Sequence, residues 1–599
     1  MEEKRIDPLQ IIGFFLLFLV LIWMMYDQSE MMKQNAQLET NATTSQSQAD
    51  DAPQPSVPAA NNAPVVNDFI PEQPEQVTTL QNEMLRLAIT SKGGFIQEAE
   101  LKQHTNHLNE QVFIVKGGNT DFNLRIEANG DLINTRDLNF SPIIDGNQLT
   151  MRSQFAGGTL DYIYTLSKER DESQAYRFQF GIRSSGLKVQ PETDLYWSLD
   201  GFRHALSADY ENRYTQLTYQ YEGDKVQALS AMGEDDDKDK AVSWISYRQH
   251  FFSMILIPTT QFELIDVESS SLMNPDSSDD SVFLKRFETT TAIASQNGAL
   301  NTSFDWFIGP TDYEILKTYD ENLSESISFG WGIIGWMNRF LFFPLFGFLS
   351  GFLPYGIAII VMTIIVRLAL SPVTYKSYLS QAKMKVLRPE INALNDKYPN
   401  DRAKKQQEMM KLYSKAGANP MAGCLPSLLQ LPVFLGLFYF FPVAFSLRGK
   451  SFLWADDLSS YDSILDLPFS IPFYGDHVSL FPLLASIAIF VYSKMTMGQQ
   501  MQPSQPGMPN MKFMIYLMPI MMLFFFNNYA SGLSLYYLIS NLITIGIMLV
   551  IKKYIIDEEK IFIQIEENKK KPKKQSRFQR KMEEIMEQAE KQKRRGQRR

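Results

Sequence analysis

The sequence predicts a polytopic α-helical membrane protein with a large all-β domain outside the membrane, and three features of the chain predict it. Uncharged apolar runs occur near the amino terminus and again in the second half of the chain. Between them, short segments alternate apolar and polar residues, as strands do. The charge is divided in the same way, since residues 27–325 carry 22 Lys/Arg against 46 Asp/Glu while the whole chain carries 57 against 67. An acidic part and a basic part on one chain of 599 residues indicate several domains in two compartments.

Residues 1–26 are predicted to form an amino-terminal transmembrane anchor. Leu9–Tyr26 holds 18 residues without a charge, which is long enough to cross a bilayer at roughly 1.5 Å per residue. Lys4 and Arg5 precede this run, so we expect the amino terminus in the cytoplasm. A cleaved signal peptide is the alternative, but the run is long for one and no small-residue cleavage site follows it. Residues 27–78 are rich in Asn, Gln, Ala, Pro, Ser and Thr, which predicts a disordered linker.

Residues 79–326 are predicted to form an all-β domain. Runs such as Leu160-Asp-Tyr-Ile-Tyr-Thr-Leu have a period of two, and about fifteen or more such strands favour an antiparallel sandwich of two large sheets. His104 and His107 have no further His or Cys nearby to complete a metal site. The acidic run that starts at Glu234 lacks the Gly and terminal Glu of a calcium loop, so we expect a solvated hairpin tip there. The domain is therefore predicted to be a scaffold or docking module.

Residues 327–350 are predicted to form an interfacial amphipathic helix. The segment is rich in Trp and Phe and has a single cation, Arg339, a composition typical of a helix that lies in the membrane interface. A spanning helix is the alternative, and it would reverse the orientation of everything downstream.

Residues 351–555 are predicted to form a core of five transmembrane helices. Residues 373–420 hold ten Lys/Arg whereas residues 446–477 hold only two, so we expect the first loop in the cytoplasm and the second outside. Residues 552–599 hold 17 Lys/Arg against 9 Asp/Glu, which also favours the cytoplasm. Six spans with both ends in the cytoplasm satisfy these constraints. The five core spans are predicted at Tyr355–Pro372, Cys424–Phe445, Leu480–Tyr492, Phe513–Phe526 and Leu533–Ile551.

Two of these spans are short. Leu480–Tyr492 and Phe513–Phe526 have 13 and 14 continuous apolar residues, whereas an ordinary bilayer needs about 20. Short helices extend into polar flanks or thin the bilayer around them. Local thinning would lower the barrier to moving a polar segment across the membrane.

The cytoplasmic parts are predicted to be a helical hairpin and a basic tail. Within residues 373–418 the pattern predicts helices at Thr374–Asp396 and Asp401–Lys415. The tail, residues 556–599, ends in Lys-Arg-Arg-Gly-Gln-Arg-Arg, and tails of this kind bind anionic lipid or RNA electrostatically.

Arg367 lies about two-thirds of the way along the first core span. A cation there costs on the order of 2.5–3.5 kcal/mol on insertion scales, so it either snorkels to an interface or has a function. Polar residues on the spans can bond between helices, or they can line a wet cavity together with Arg367. These polar residues are Thr363, Ser427, Gln430, Ser534, Tyr536, Tyr537, Ser540, Asn541 and Thr544.

Three motifs follow one another along these spans. They are Thr363-Ile-Ile-Val-Arg367, then Asn419-Pro-Met-Ala-Gly-Cys-Leu-Pro426 with Gln430-Leu-Pro432, then Ser531-Gly-Leu-Ser-Leu-Tyr-Tyr537 leading to Ser540-Asn541. In this order the motifs resemble those of the YidC/Oxa/Alb family of membrane protein insertases, in the Gram-negative form with a large periplasmic domain. The resemblance covers nearly the whole chain.

The resemblance implies a periplasmic β-super-sandwich and a five-helix groove that is open to the cytoplasm and lipid. It implies a multi-pass inner-membrane protein with both termini in the cytoplasm, which is not an enzyme and uses no cofactor. It would insert and fold nascent membrane proteins, alone or beside the Sec translocon. The expected further partners are the ribosome, through the basic tail and cytoplasmic loops, and membrane lipids, but not DNA.

The resemblance also implies roles for residues of the groove. Arg367 is implied to be the groove cation, and Thr363 and Tyr537 are implied to contact the passing substrate. The remaining implied groove residues are Gln430, Tyr536, Ser540 and Asn541.

Two other classes of protein remain as alternatives. A transporter or channel would also place a cation in a polar span, but such proteins are often built from repeats, and the chain has no evident repeat. A membrane protease needs a nucleophile paired with a base, and none of the five His residues falls in a predicted span. The sequence lacks a phosphate-binding P-loop motif, so ATP is not expected to drive the reaction directly.

Overall fold

The computed structural model describes residues 74–570, apart from 129, 168–173, 275–280, 400, 419–424, 473 and 498–510. The predicted anchor, nearly all of the predicted linker, Cys424 and the tail after Lys570 lie outside the described residues. The chain divides into two compact units, Met1–Asp68 with Met501–Leu517 and Phe69–Gln500 with Met518–Arg599. Only residues 511–517 of the first unit are described. The β-domain and most of the helical region belong to the second unit.

The amino-terminal part of the second unit is a β-domain of antiparallel strands with two short helices, α1 at Ala208–Asn212 and α2 at Tyr313–Leu316. Its strands are β1 Val77–Gln81, β2 Leu85–Thr90, β3 Ile96–Thr105, β4 Gln111–Val115, β5 Thr120–Ala128, β6 Asp131–Asn134, β7 Ser141–Asp145, β8 Gln148–Phe155, β9 Gly158–Leu166, β10 Arg177–Ser185, β11 Glu192–Phe202, β12 Thr215–Tyr221, β13 Lys225–Ala228, β14 Asp235–Gln249, β15 Phe252–Pro258, β16 Phe262–Ser271, β17 Phe283–Ala294 and β18 Asn301–Pro310.

These strands form two sheets of unequal size. One has four strands in the order β1-β2-β3-β4, and the other has 14 strands, running from β6 at one edge to β7 at the other. Alternate side chains of β9 are buried, as its two-residue period predicts. Phe95, just before β3, stacks on Phe122 of β5 with ring centroids 4.3 Å apart and also meets Trp306 of β18. The predicted antiparallel β-sandwich is therefore confirmed, but only one of its two sheets is large.

The acidic run is not the hairpin tip that the sequence predicts, because it forms the first part of β14. Asp235 pairs with Ser269 of β16 in the ladder. The Tyr219 hydroxyl lies 2.8 Å from a carboxylate oxygen of Asp237 and 2.6 Å from one of Asp239. Residues two apart in a strand lie on the same face, so one hydroxyl reaches both carboxylates. Contacts with the neighbouring strands therefore keep these aspartates in a strand, although Asp by itself is unfavourable in strands.

The second part of the unit, from Gly332 onward, is the helical region. Its helices are α3 Gly332–Met337 and α4 Phe343–Ser350, joined by the π-turn Asn338–Phe342, then α5 Tyr355–Val386, α6 Arg388–Lys397, α7 Arg402–Ala416, α8 Leu425–Val443, α9 Leu480–Met497, α10 Met511–Phe526, α11 Ser531–Val550 and α12 Glu558–Lys570. A hairpin of β19 Ser463–Ile471 and β20 Gly475–Ser479 lies between α8 and α9.

Helix α5 differs from the prediction, since it runs for 32 residues and passes through Pro372 without ending. Proline lacks the N–H that would bond to the carbonyl four residues earlier, which is that of Leu368. The Ser371 hydroxyl donates to this same carbonyl at 2.8 Å. The predicted helix Thr374–Asp396 is therefore divided between the end of α5 and α6, whereas α7 agrees with the predicted second helix within one residue at each end.

The predicted tail begins with a helix that packs against the hairpin. Ile561 and Ile565 of α12 are buried in one cluster with Leu387, Ile391 and Tyr413. In addition, the Lys569 ammonium group lies 2.6 Å from the Glu390 carboxylate. The helices α6, α7 and α12 therefore form one packed cluster, although the sequence predicts a boundary at residue 556.

Among the described residues, three helical stretches are long and apolar enough to cross a membrane. They are Gly332–Ser350, Tyr355–Val386 and Ser531–Tyr554, and the shorter apolar helices are Leu428–Val443, Leu480–Thr496 and Leu517–Phe526. The predicted interfacial segment is thus also long enough to span, and its location and the count of six spans stay predictions.

Candidate functional site

Arg367 connects three helices of the helical region. Its Nε donates to the Ser540 hydroxyl of α11 at 2.6 Å, and its Nη1 donates to Gln430 Oε1 of α8 at 3.0 Å. Both acceptors are neutral, and no carboxylate of a described residue forms an ion pair with the guanidinium. Arg367 is only partly buried, and its Nη2 donates to no described residue. A full positive charge with spare donors therefore remains where α5, α8 and α11 meet.

The two helices that bind Arg367, α8 and α11, also carry buried polar atoms without hydrogen-bond partners among the described residues. The buried Gln430 Nε2 and the hydroxyls of Ser534, Tyr536 and Tyr537 make no hydrogen bond to any described residue. The Tyr536 hydroxyl lies near Ser540 and Gln430, the two acceptors of Arg367, but not in hydrogen-bond geometry with either. A buried polar group without a partner costs about 1–3 kcal/mol. Such groups collect where water or a ligand supplies the missing bonds.

The other predicted site residues make different contacts. The Thr363 hydroxyl donates to the Ile359 carbonyl of its own helix at 2.7 Å. Asn541 Nδ2 likewise donates to the Tyr537 carbonyl at 2.7 Å. Arg367, Gln430, Tyr536 and Ser540 thus form one polar cluster, whereas the polar groups of Thr363 and Asn541 bond to their own helices.

Tyr537 occupies an aromatic group beside the polar cluster. Its ring centroid lies 5.4 Å from that of Phe434 on α8 and 5.1 Å from that of Phe526 at the end of α10. The adjacent Tyr536 ring lies 5.4 Å away. The site therefore has an apolar side, formed by these aromatic rings, and a polar side, formed by Arg367 and the polar cluster.

The contact between the β-domain and the helical region includes residues that the sequence did not single out. His250 Nε2 lies 2.7 Å from the Pro442 carbonyl oxygen near the end of α8. Arg448 Nη2 donates to the Thr105 carbonyl at 2.6 Å, and its guanidinium carbon lies 4.8 Å from the ring centroid of Phe252. Burial lowers the pKa of His250 to about 3, so its ring is neutral. For His250 the available signal was one His beside two Phe, at the turn between β14 and β15.

The cores of the two parts also interlock. Val443 of α8 belongs to the buried core of the β-domain, and Tyr210 of α1 belongs to that of the helical region. The rings of Tyr210 and Tyr529 meet edge to face at 5.7 Å. The β-domain is therefore docked on the end of α8 and on the turn before α11.

Comparisons with known proteins agree with this architecture. The family model described as the YidC periplasmic domain matches residues 77–344, and that of the 60Kd inner membrane protein matches residues 347–559. The relative from Parabacteroides distasonis is 40% identical over 541 residues, covering 85% of this chain and 83% of its own. That from Bacteroides fragilis is 36% identical over 83% of this chain and 82% of its own, and that from Porphyromonas gingivalis is 35% identical over 88% and 86%.

All three relatives are named membrane protein insertase YidC. The identity and coverage of the Parabacteroides distasonis relative are high enough to show a shared family. The chain belongs to the YidC family of inner-membrane protein insertases, with a periplasmic β-sandwich domain followed by a helical region of apolar helices.

Proposed function

We propose that this chain inserts newly made proteins into the inner membrane, and helps them fold, through a hydrophilic groove centred on Arg367. The observation that carries the proposal is the guanidinium that binds two neutral acceptors, Gln430 and Ser540, and keeps donors free. A charge without a counter-charge, beside buried polar groups without partners, is suited to receive a passing polar segment. Its role is binding, so no catalytic residue is required.

The first step is capture of the client's short outer segment. Two opposite unit charges about 4 Å apart attract by about 4 kcal/mol at an effective dielectric constant near 20. An acidic side chain of the client can therefore displace Gln430 or Ser540 from the guanidinium, while the freed groups bind the client's backbone. Tyr536, beside these two acceptors, supplies a further hydroxyl.

The second step is release of the client's apolar span into lipid. The span leaves the groove past Thr363 on α5 and past Tyr537 with its aromatic neighbours on α11. Burial of apolar groups is worth about 0.8 kcal/mol per CH₂, so a span of ordinary length supplies ample free energy without ATP. Asn541 lies one turn beyond Tyr537 on α11 and extends the lining.

The proposed topology has six spans, with both termini in the cytoplasm. Helices α9 and α10 contain 18 and 16 residues. At 1.5 Å per residue they are roughly 24–27 Å long, whereas the hydrocarbon core is about 30 Å thick. The bilayer next to the groove is then thinner than elsewhere, which shortens the path of a polar segment.

Residues 327–350 are proposed to lie in the periplasmic interface and not to cross the membrane. Arg339 in the middle of this segment pairs with Glu325, which lies just before it. The Phe343 ring meets Tyr313 of the β-domain and Phe329. The middle of a spanning helix would lie in hydrocarbon and away from such partners, so these contacts support the interfacial location.

Further partners are proposed on the cytoplasmic side. The packed cluster of α6, α7 and α12 leads into the basic residues after Lys570, a composition suited to ribosomal RNA or anionic lipid. Cooperation with the Sec translocon is proposed on the family resemblance alone. A transporter or channel remains the second candidate only because it too places a cation in a polar span.

Photo-crosslinking tests the proposed groove. A photoactivatable residue at Thr363 or Tyr537 is expected to crosslink to a ribosome-bound nascent chain that carries one apolar span. The matched control is Ile487, an exposed residue of α9, which is not among the three helices that meet at Arg367. Equal crosslinking at all three positions, or none at Tyr537, would contradict the groove. Solute flux through liposomes containing the protein would favour the transporter.

A further inference from the structure

The hairpin β19–β20 is fixed rigidly to the end of helix α9. Strand β20 ends at Ser479 and α9 begins at Leu480, so no linker separates them. Asn527, fully buried in the turn after α10, donates to the carbonyls of Tyr474 at 2.9 Å and His477 at 2.8 Å. Its own side-chain oxygen accepts from the Ser479 backbone at 3.0 Å. Strand β20 and the turn that precedes it therefore cannot move independently of α9 and of the turn between α10 and α11.

Strand β19, the other strand of the hairpin, exposes large apolar side chains. Ile464 is 50% exposed, Leu465 57% and Phe469 60%. Among the strands that the structure describes, these two pair only with each other, and register shifts interrupt the pairing. A two-stranded hairpin is marginally stable in water and needs another surface to pack against. The Tyr461 ring stacks on His477 of β20 at 3.8 Å.

The surroundings of the hairpin favour lipid as the missing surface. The apolar helix α9 starts immediately after it, which puts the hairpin at the level where this span enters the membrane. Residues 451–479 contain no Lys or Arg, so an acidic protein or anionic headgroup would find no counter-charge there. Exposed Leu and Phe at that level bury their surface in the boundary between headgroups and acyl chains.

We infer that the hairpin β19–β20 is a membrane anchor that inserts Leu465 and Phe469 into the outer leaflet of the bilayer. Because Asn527 ties it to the turn between α10 and α11, the anchor fixes the depth of the short helices α9 and α10. The inference goes beyond the insertase function, which does not require such an anchor, and rests on the proposed span at α9.

Site-directed spin labelling tests the anchor. The chain has a single cysteine, so Cys424→Ser provides a cysteine-free background, and Leu465→Cys and Phe469→Cys carry the label. Ser141→Cys, exposed on edge strand β7, is the water reference, and Leu549→Cys, exposed on α11, is the lipid reference. The full-length protein is placed in phosphatidylcholine vesicles, and collision rates of the label with oxygen and with a water-soluble nickel chelate are measured.

Labels at 465 and 469 are expected to have an oxygen-to-nickel collision ratio several-fold above the Ser141 reference. The ratio should not change when phosphatidylglycerol is added, because the hairpin has no cation. A ratio equal to the Ser141 reference would overturn the anchor, as would labels shielded from both reagents, which indicate a protein partner. If the Leu549 label itself reads as aqueous, the proposed topology fails first, and the two failures are thereby distinguished.

Discussion

Arg248 in the β-domain and Arg367 in the helical region bind similar partners in different surroundings. Arg248 Nη1 donates to the Ser326 carbonyl at 2.9 Å and Nη2 donates to Gln216 Oε1 at 2.7 Å. Arg367 donates to a hydroxyl and to an amide oxygen. Neither forms an ion pair with any carboxylate among the described residues. Arg248 is only 2% exposed, however, whereas Arg367 is partly open.

The guanidinium groups of Arg248 and Arg367 therefore have different roles. Burial lowers the pKa of Arg248 to about 10, and its bonds tie β14 to β12 and to the segment that leaves the domain. Nothing can reach this charge, so it serves the fold. The charge of Arg367 keeps free donors beside unsatisfied polar groups, so we propose that it serves the client. The predictions below test this division.

Reversal of the groove charge has the largest expected effect on insertion. Arg367→Glu should reduce insertion of clients with acidic outer segments by at least about tenfold, which corresponds to a loss of 1.4 kcal/mol of binding. Arg367→Lys should fall between the variant and the wild type, because it keeps the charge and loses the planar fork. Insertion is measured by protease protection at matched expression. Wild-type insertion by the Glu variant would refute the role of Arg367.

Removal of the buried arginine should affect stability and leave insertion intact. Arg248→Met leaves the Ser326 carbonyl and Gln216 without their donor, at a cost of about 1–3 kcal/mol for each unsatisfied group. Thermal unfolding of the full-length protein in detergent measures the loss, and insertion per folded molecule should stay normal. The exposed Arg125 of β5 is the matched control, since Arg125→Met should change stability by less than about 0.5 kcal/mol. Equal effects of both substitutions would remove the distinction between the two environments.

Two glycines extend the comparison of closed and open surroundings to the helices themselves. A Cβ on Gly356 of α5 would lie 2.1 Å from the Phe452 ring, whereas a Cβ on Gly546 of α11 would meet nothing within 4 Å. Gly356→Ala should therefore destabilise the protein by about 1–3 kcal/mol through overpacking. Gly546→Ala should stabilise it by up to about 1 kcal/mol through helix propensity. If the unfolding midpoints of both variants shift in the same direction from the wild type, the packing described for α5 is contradicted.

The smallest predicted effect concerns pH at the contact between the two parts. Burial lowers the folded-state pKa of His250 from 6.5 to about 3, so between these values the unfolded chain binds a proton that the folded chain does not. Stability should then fall as the pH decreases below about 6.5, by less than about 1.4 kcal/mol per pH unit for this proton. His250→Gln keeps a donor for the Pro442 carbonyl and should flatten the dependence. An unchanged slope between pH 7 and pH 6 would count against a buried neutral ring.

The sequence was sufficient to predict those elements that follow from the periodicity or the apolar character of their own residues. The two-residue alternation from Leu160 predicts β9, and the apolar runs predict every helix from α8 to α11. The acidic start of β14 was missed because its stability comes from Tyr219 and from strand β16, which are distant in sequence. Helix α5 was predicted to end too early because the Ser371 hydroxyl compensates for Pro372 at the Leu368 carbonyl.

The site was predictable only in part. The position of Arg367 in an apolar span identified it, the polar residues of the spans were the other candidates, and the family resemblance selected among those. The hydrogen bonds to Gln430 and Ser540 cross 63 and 173 residues of sequence, and no periodicity reports such pairs. The packing of α12 was missed because its one short apolar run, Ile561–Ile565, is flanked by charged residues and is buried against the hairpin, which is distant in sequence.

A charge-swap experiment distinguishes electrostatic capture by Arg367 from binding that does not depend on its charge. Two clients that differ only in an acidic or a basic outer segment are presented to the wild type and to Arg367→Glu, and the inserted fraction of each is measured in proteoliposomes. If Arg367 captures the outer segment electrostatically, the wild type should favour the acidic client and the Glu variant should favour the basic client. The same preference for the acidic client in both proteins would show that the groove does not act through the charge of Arg367.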